Sequence, residues 1–515
     1  MQQDDRADQS CDRTARRPVR RAQREERRSD HEGHRDMKHA PLLSDHSDDI
    51  QGMLKSGFGW LKSSRFWLLT IRDGRVDQAR AWLAKLVDSG LVVSAKRVGT
   101  GRKKPEESIS EAVAVAFSFS GLKKLGCTEA ETHPFPTAFS SGMGSALRKE
   151  LLRDAGRDQW RWSDVEDPDG RQTVHILVAQ WWVLDEKSRM EDPDPDAFII
   201  RTVENNPCSF KKEEDGKLRE PFGFRDGLAQ PVIRGLREEG GAALKQAKRD
   251  AGDLYEDRVV EPGEFILGYR NEYDELTYCP NVKEWPQSSA RFTLNGSYLA
   301  VRQIAQDVDA FERFKAANGR AICEKMMGRR MDGMPLGWQG PLGSDSAADA
   351  FRYRVQDANG FVCPQGAHVR RSNPRDSLGI DVPSSIKSSK LHRLLRRGRP
   401  YRETTESGTS CDGLFFIACN ADLERQFEFI HQRWVQNPRF GTLEGQDDPV
   451  VGSSPVPKTF TIPGLPSGSE VTLASFTQAL GGGYFFLPGI AALQFIAGGR
   501  AGAKPAPSRQ VEAAS

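Results

Sequence analysis

Long apolar runs are missing from this chain of 515 residues. The most apolar stretch covers residues 485–498 and is interrupted by Pro488. It is shorter than the roughly 20 residues that a membrane-spanning helix requires, so we predict no transmembrane segment. Such a stretch is typical instead of a buried element near the end of a fold.

An excess of one charge sign is also missing. Lys and Arg total 74 and Asp and Glu total 72, which leaves a formal net charge of +2. Nucleic-acid-binding proteins typically carry a basic excess, so the composition predicts no nucleic-acid partner. Neither a phosphate-binding loop nor a nucleophile elbow occurs in the sequence, so the usual signals of nucleotide hydrolases and serine hydrolases are lacking.

Cysteine pairs at metal-binding spacing are lacking as well. The eight cysteines are scattered along the chain and form no CxxC motif. This distribution argues against a zinc ribbon and against a disulfide-stabilised scaffold, and it is typical of a reducing compartment. We therefore predict a cytoplasmic protein.

Large apolar side chains are scarce in the first forty residues, which are rich in Arg, Asp and Glu. Such a segment cannot bury enough surface to offset its chain entropy, so we predict that residues 1–45 are disordered. Residues 499–515 contain much Ala, Pro and Gly and are predicted to form a second disordered tail. The length between these tails suits two domains, which we place at residues 46–260 and 261–498.

Strand-like and helix-like patterns alternate in both halves of this central region. We predict strands at residues 65–71, 113–120, 175–182, 297–304 and 414–419. We predict helices at residues 76–86, between the fourth strand and Phe314, and at residues 422–434, where Leu423, Phe427, Ile430 and Trp434 share one face. Strands mixed with long helices, arranged twice, predict an α+β fold class with antiparallel sheets. The alternation does not fix the order of the strands.

Three segments carry the candidate chemistry. Residues 223–227 (GFRDG) place one carboxylate between glycines, where the backbone can turn tightly, although an Asp in this setting is usually a turn residue. Residues 363–376 place a His among small neighbours, which would admit a planar macrocycle to an iron-binding imidazole. A lone loop His is more often a surface or packed residue. Residues 394–401 (LLRRGRPY) carry arginines that either bind an anion or form a solvated patch.

Together and in this order, the three segments resemble the dye-decolorizing peroxidase family. The resemblance extends from about residue 48 to residue 498 and rests most strongly on GAHVRRSNPRD followed by RRGRPY. The spacing is similar to that of the longer bacterial and fungal branch of the family. The resemblance implies two ferredoxin-like domains, each an antiparallel sheet with peripheral helices, and a haem b held mainly by the second domain.

The resemblance also implies the roles of individual residues. His368 matches the proximal iron ligand and Asp226 matches the distal acid–base residue. Arg396 matches the distal arginine, although the adjacent Arg397 leaves that register open. Two further matches are the apolar residues that line the distal face, Leu414 and Phe416.

A proximal histidine needs an acceptor that fixes its tautomer and raises its basicity. Glu424 and Glu428, on the helix that follows the haem-side strand, are the candidates, and the sequence offers no basis for choosing between them. Three aromatic side chains near the surface are candidate electron relays, although ordinary packing is the better explanation of each: Tyr401, Trp434 and Trp338.

The activity implied by the resemblance is that of a haem peroxidase. Hydrogen peroxide would oxidise the haem to an oxyferryl state, and dyes, phenols or similar reducing substrates would then return it to rest. Asp226 would accept and return a proton, while Arg396 would stabilise the negative charge on peroxide. The alternatives are a haem protein of the same fold with iron-releasing or catalase-like activity, and a haem-free scaffold. The oligomeric state stays open.

Overall fold

The structure, a computed structural model, describes most of the chain between Leu43 and Gly498. The described ranges are residues 43–98, 109–128, 134–153, 159–166, 172–205, 219–236, 254–286, 290–338, 349–404, 410–452, 458–464 and 470–498. The predicted disorder of residues 1–42 and 499–515 falls outside these ranges. Residues 43–45 belong to a short 3₁₀ turn, Leu43–His46, in which Leu43 is buried, so ordered chain begins before residue 46.

Most of the described strands form one sheet. Its eleven strands are β1 Ser63–Ile71, β2 Glu111–Phe117, β3 Trp162–Ser163, β4 Gln172–Thr173, β5 Ile176–Trp182, β6 Phe198–Asn205, β9 Ser297–Gln306, β10 Leu395–Arg396, β11 Arg399–Thr404, β12 Ser410–Asn420 and β15 Thr477–Leu487. Two smaller pairs lie outside it, namely β7 Val232–Ile233 with β8 Val259–Val260, and β13 Lys458–Thr461 with β14 Glu470–Leu473.

The sheet consists of two halves with the same strand order. The first half runs β2-β5-β1-β6 and the second runs β10-β12-β9-β15, and the pairs along both are antiparallel. In each half the first and third strands of the chain lie in the centre, while the second and fourth lie outside. This is the ferredoxin-like arrangement, and it confirms the predicted α+β fold class. The halves meet where Phe486 of β15 pairs with Phe117 of β2. The domain boundary at residues 260 and 261 stays a prediction.

Helices surround the sheet. Those described are α1 Val76–Asp88, α2 Phe119–Lys124, α3 Thr137–Ser141, α4 Ala146–Leu152, α5 Val308–Asn318, α6 Arg320–Met327, α7 Tyr353–Asp357, α8 His368–Ser372, α9 Val382–Lys390 and α10 Ile490–Gly498. Two π-helical turns, Glu424–Glu428 and Ile430–Val435, and further 3₁₀ turns at Gly52–Leu54, Glu256–Arg258 and Pro262–Glu264 complete the set. Within the described ranges, no helix combines the length and the apolar character needed to cross a bilayer.

Both faces of the sheet are buried, and strand β1 shows how. Trp67 and Leu69 pack into the core on one face, whereas Phe66 and Leu68 pack into a second core on the other. Successive side chains of a strand point to opposite faces, so a run of apolar residues such as this one places a core on each side. Helix α1 covers the first face with a buried stripe at helical spacing, namely Ala79, Trp82, Leu83 and Leu86.

Strand β2 is shorter than the sequence predicts. The predicted strand extends to residue 120, but β2 ends at Phe117, where Ser118 becomes the N-cap of α2. The Ser118 hydroxyl accepts a hydrogen bond from the backbone N–H of Gly121 at 3.0 Å. Serine side chains compete with strand pairing in this way, and the alternating pattern of residues 113–120 hides the change.

The helix predicted at residues 422–434 forms as two π-helical turns rather than as an α-helix. A π-helix makes more than 3.6 residues per turn, so the predicted single apolar face is divided. Leu423 and Phe427 join the main core, while Ile430 and Trp434 pack with Phe440 in a separate cluster. Four residues of this segment line the cavity described below: Phe427, Ile430, His431 and Val435.

Candidate functional site

A cavity of about 270 Å³ lies between strands β9 and β12, the loop of residues 220–229, helix α8 and the π-helical turns. The five residues that the family resemblance assigns to the haem site all line this one cavity: Asp226, His368, Arg396, Leu414 and Phe416. They come from four separate segments of the chain, so only the fold brings them together.

His368 opens helix α8, directly after the small residues Gly366 and Ala367. Its Nδ1 lies 2.9 Å from Oδ2 and 3.1 Å from Oδ1 of Asp448, whose side chain is fully buried. The backbone N–H groups of Val450 and Val451 each donate to Oδ1 of Asp448 at 2.9 Å, which fixes the carboxylate. An acceptor at Nδ1 places the ring proton there, so the lone pair of Nε2 is left to bind a metal.

The same pair sets the charge of both partners. Burial acts to lower the pKa of His368, but the charge and the hydrogen bond of Asp448 outweigh it, so that this pKa lies above its usual value. Burial acts to raise the pKa of Asp448, but the charge and the hydrogen bond of His368 outweigh burial. The pKa of Asp448 therefore lies below its usual value. Asp448 is therefore a carboxylate that holds the imidazole in one orientation and increases its basicity.

The prediction that Glu424 or Glu428 supports His368 is wrong. Both glutamates pair with Arg148, and the contact between Arg148 Nη2 and Glu424 Oε1 is 2.6 Å long. Glu428 also accepts a hydrogen bond from the hydroxyl of Tyr484 at 2.7 Å. The actual partner, Asp448, follows another aspartate in an irregular loop, where nothing in the local pattern distinguishes it from a solvent-exposed acid.

On another wall of the cavity, Arg396 Nη1 donates a hydrogen bond to Asp226 Oδ1 at 2.8 Å. The side chains are 32% and 42% exposed, so this pair still reaches the open space of the cavity. Desolvation acts to raise the pKa of Asp226, but the charge of Arg396, with its hydrogen bond and that of the Gly227 backbone, holds this pKa below the usual 3.8. Asp226 is therefore ionised at neutral pH and able to accept a proton.

The loop geometry explains why Asp226 stands between glycines. Gly223 and Gly227 both adopt positive φ angles, of 93° and 82°, which other residues rarely adopt. The backbone reverses at these two positions and directs the intervening segment towards the cavity. The motif therefore forms a tight turn and also places the Asp226 carboxylate at the cavity, so the structural role and the functional role are compatible.

Arg396 and Arg397 have different surroundings in the structure. They are neighbours in or beside the short strand β10, and adjacent side chains of a strand point to opposite sides. Arg396 lines the cavity, whereas Arg397 is buried and donates from Nη2 to the carbonyl oxygen of Leu54 at 3.0 Å. Arg396 is thus the arginine that contacts Asp226.

Leu414 and Phe416 lie two positions apart on β12 and therefore share the face that lines the cavity. Phe415, between them, points to the other face and stacks on Phe66 with ring centroids 4.3 Å apart. Ile304 of β9, which pairs with Leu414, extends the apolar surface. This part of the wall suits the face of a flat apolar ring.

A group of buried arginines lies beside the cavity, and sequence reasoning missed it. Asp349, which is fully buried, contacts Arg258 Nε at 3.0 Å, Arg329 Nη2 at 3.6 Å and the guanidinium of Arg375. Arg329 and Arg393 line the cavity itself. Burial lowers the pKa of Arg393 to about 10; Asp349 opposes this shift, and the neighbouring arginines add to it. One carboxylate thus faces several guanidinium groups, which leaves this wall positively charged. These arginines come from distant segments, so no local motif reveals them.

Two of the proposed aromatic relays are not surface residues. Tyr401 is fully buried and Trp434 is only 6% exposed. Tyr401 packs in the second core, and Trp434 packs with Ile430 and Phe440, so both have the buried position that ordinary packing predicts. Trp338 is half-buried.

Comparisons with known proteins point to one family. Residues 265–454 match the family model described as "Dyp-type peroxidase, C-terminal". A dye-decolorizing peroxidase of Exidia glandulosa is 27% identical over 490 residues, which cover 87% of this chain and 86% of the relative. The multifunctional dye peroxidase of an Amycolatopsis species is 27% identical over 473 residues, which cover 84% of this chain and 92% of the relative.

The similarity extends to solved structures and to one other activity. The crystal structure of a DyP-type peroxidase from an Anabaena species superposes with a TM-score of 0.68 at 21% identity, covering 88% of this chain and 95% of the other. This likeness supports the fold. A deferrochelatase of Yersinia pestis is 28% identical over 203 residues, which cover only 39% of this chain and 34% of the relative.

Proposed function

Since this chain belongs to the dye-decolorizing peroxidase family, we propose that it is a haem b-dependent peroxidase, which uses hydrogen peroxide to oxidise dyes, phenols or similar electron donors. The observation that carries this proposal is the placement of two polar pairs around one cavity. His368 with Asp448 provides an oriented imidazole, and Asp226 with Arg396 provides an ionised acid–base group.

The cavity residues fit a haem by their chemistry. His368 would hold the iron through Nε2, and Leu414 and Phe416 would offer an apolar surface to the macrocycle. The two propionates of haem are carboxylates, which need cationic partners in a buried site. Arg329 and Arg393 line the cavity and would hold them.

The bound haem would supply an iron that binds peroxide and stores two oxidising equivalents. The residues of this chain then do the proton work. Asp226, kept ionised by Arg396, would accept a proton from hydrogen peroxide at its carboxylate and return it to the oxygen that leaves as water. The guanidinium of Arg396 stabilises the negative charge that develops on peroxide. Asp448 keeps the Nδ1 proton of His368 in place throughout.

The test starts from the purified protein loaded with haem. We expect a Soret band and steady oxidation of an anthraquinone dye that depends on peroxide. Oxygen release without dye oxidation would indicate catalase activity, and formation of metal-free porphyrin would indicate iron release. Absence of any Soret band after haem addition would leave only the scaffold alternative.

We also propose a cytoplasmic location. The six cysteines within the described ranges are all free, which is compatible with a reducing compartment: Cys127, Cys279, Cys323, Cys363, Cys411 and Cys419. Fractionation of the native host cells, followed by immunodetection of this chain, tests the proposal. Recovery of the protein outside the cytoplasmic fraction would contradict it.

A further inference from the structure

A second carboxylate, Glu220, lines the same cavity as Asp226 and has no role in the mechanism above. It lies at the start of the loop that carries Asp226. Its side chain accepts hydrogen bonds from two backbone N–H groups of that loop, Phe224 to Oε1 at 2.8 Å and Phe222 to Oε2 at 3.1 Å. Its backbone adds two more, because Glu220 N–H donates to Phe224 O at 2.9 Å and Gly223 N–H donates to Glu220 O at 2.8 Å.

A further contact connects this loop to the central sheet. Gln306, the last residue of β9, donates from Nε2 to Glu220 Oε2 at 2.6 Å. Glu220 therefore joins two elements of the site: the turn that leads to Asp226, and the strand that forms the cavity wall. Loss of this carboxylate would leave two backbone N–H groups and one amide without their acceptor.

The charge of Glu220 is also coupled to that of Asp226. Burial raises the pKa of Glu220 to about 7; the hydrogen bonds from Gln306 and the two backbone N–H groups oppose this rise, and the charge of Asp226 adds to it. The arginines that line this cavity are Arg225, Arg302, Arg329, Arg393 and Arg396, and two histidines, His368 and His431, line it as well. Asp226, by contrast, has a lowered pKa. As the pH falls, Glu220 is thus the first of the two acids to become neutral.

We propose that Glu220 is the positioning residue of the loop that carries Asp226, and that it takes up the first proton that reaches this pair. Protonation of Glu220 removes a negative charge near Asp226 and so leaves Asp226 ionised, but less basic. Ionised Glu220 makes Asp226 a stronger base. The inference rests on the proposed function, because it concerns the proton acceptor of that reaction.

The test compares two glutamates that accept from the same strand. Glu403 accepts a hydrogen bond from Gln303 of β9 at 2.7 Å, as Glu220 does from Gln306, but it does not line the cavity. The variants are Glu220→Gln and, as the matched control, Glu403→Gln. The haem-loaded proteins are mixed rapidly with peroxide over a range of pH, and the second-order rate constant is recorded.

We expect the rate constant of the wild type and of Glu403→Gln to rise as the pH increases through about 7. Glu220→Gln should lose this rise and match the wild type only on the acid side. A second variant, Gln306→Met, removes the donor that opposes the high pKa of Glu220, so the midpoint should move to higher pH. An inflection that stays unchanged in Glu220→Gln overturns the inference.

A second measurement does not depend on activity. Hydrogen–deuterium exchange of the peptide that covers residues 219–228 should be faster in Glu220→Gln than in the wild type, because the glutamine offers only one acceptor oxygen to the N–H groups of Phe222 and Phe224. Glu403→Gln should exchange like the wild type in this peptide. Unchanged exchange in Glu220→Gln contradicts the positioning role. A wild type that does not react with peroxide refutes the proposed function instead, and the exchange experiment is still informative.

Discussion

The contact between His368 and Asp448 leads to the most direct prediction. Three N–H groups converge on the Asp448 carboxylate: Nδ1 of His368 and the backbone N–H groups of Val450 and Val451. Asp448→Asn keeps the shape of the side chain but replaces one acceptor oxygen with an NH₂ group. Within a fully buried site, one of the three N–H groups then faces another donor.

The size of the effect follows from the role of such partners. Loss of a hydrogen-bonding partner behind a metal-binding histidine typically costs 10- to 100-fold in metal affinity, or about 1.4 to 2.7 kcal/mol. We expect a loss of haem affinity in this range for Asp448→Asn. The iron–histidine bond should also weaken, because the imidazole is no longer polarised by a carboxylate.

Transfer of haem to an apomyoglobin acceptor measures the affinity, and resonance Raman spectroscopy of the ferrous protein measures the iron–histidine stretching frequency. Glu424→Gln is the control, since Glu424 was a sequence-based candidate for the same role but has a half-exposed side chain against Arg148. If Glu424→Gln lowers the affinity and the frequency while Asp448→Asn leaves both unchanged, the assignment of Asp448 is refuted.

Three further predictions concern the site and the fold. His368→Ala should lose the Soret band or change the spectrum of the iron, and an unaltered absorption spectrum would exclude His368 as the ligand. Asp226→Asn should still bind haem but react with peroxide roughly 10² to 10⁴ times more slowly in stopped-flow mixing. If Asp226→Asn reacts at the wild-type rate while Arg396→Leu is inactive, Asp226 has no acid–base role and serves only in the turn. His175 is 5% exposed and has a pKa lowered to about 4 by burial, so the unfolded chain binds its proton first as the pH falls from 6.5. The free energy of unfolding should therefore fall by up to about 3 kcal/mol as the pH decreases from 6.5 to 4. Denaturant unfolding of His175→Gln should show a smaller loss of stability over that range, and an equal loss would contradict the argument.

The sequence predicts those elements whose pattern is local. The stripe of α1 repeats at helical spacing, and the apolar runs of β1 and β12 fill both faces of a sheet, so their positions follow from periodicity. The end of β2 does not follow from periodicity, because it depends on one hydrogen bond that the Ser118 hydroxyl accepts from the backbone N–H of Gly121. The π-helical turns do not either, since an amphipathic pattern is read at 3.6 residues per turn.

The site residues also fall into those that a local pattern predicts and those that no local pattern predicts. Asp226, His368 and Arg396 stand in recognisable motifs, and the fold places all three on one cavity. Asp448 and the arginines around Asp349 have no motif, because they act through contacts between segments that are distant in the chain. Partners of this kind become visible only when the chain is folded.

The central position of β15 has a consequence for the timing of folding during synthesis. This strand pairs with β9 along its length and joins β2 through Phe486, although it is the last strand of the chain. Until it leaves the ribosome, β9 is an open edge on one side, although its first seven residues are buried in the fold, and such an edge can pair with a neighbouring chain. The side chain of Gln51 also depends on the C-terminal part of the chain, because it donates a hydrogen bond to the carbonyl oxygen of Pro488 at 3.0 Å. Because so many contacts span the length of the chain, folding should be slow and completed only after release, and the nascent protein should need protection from aggregation until then.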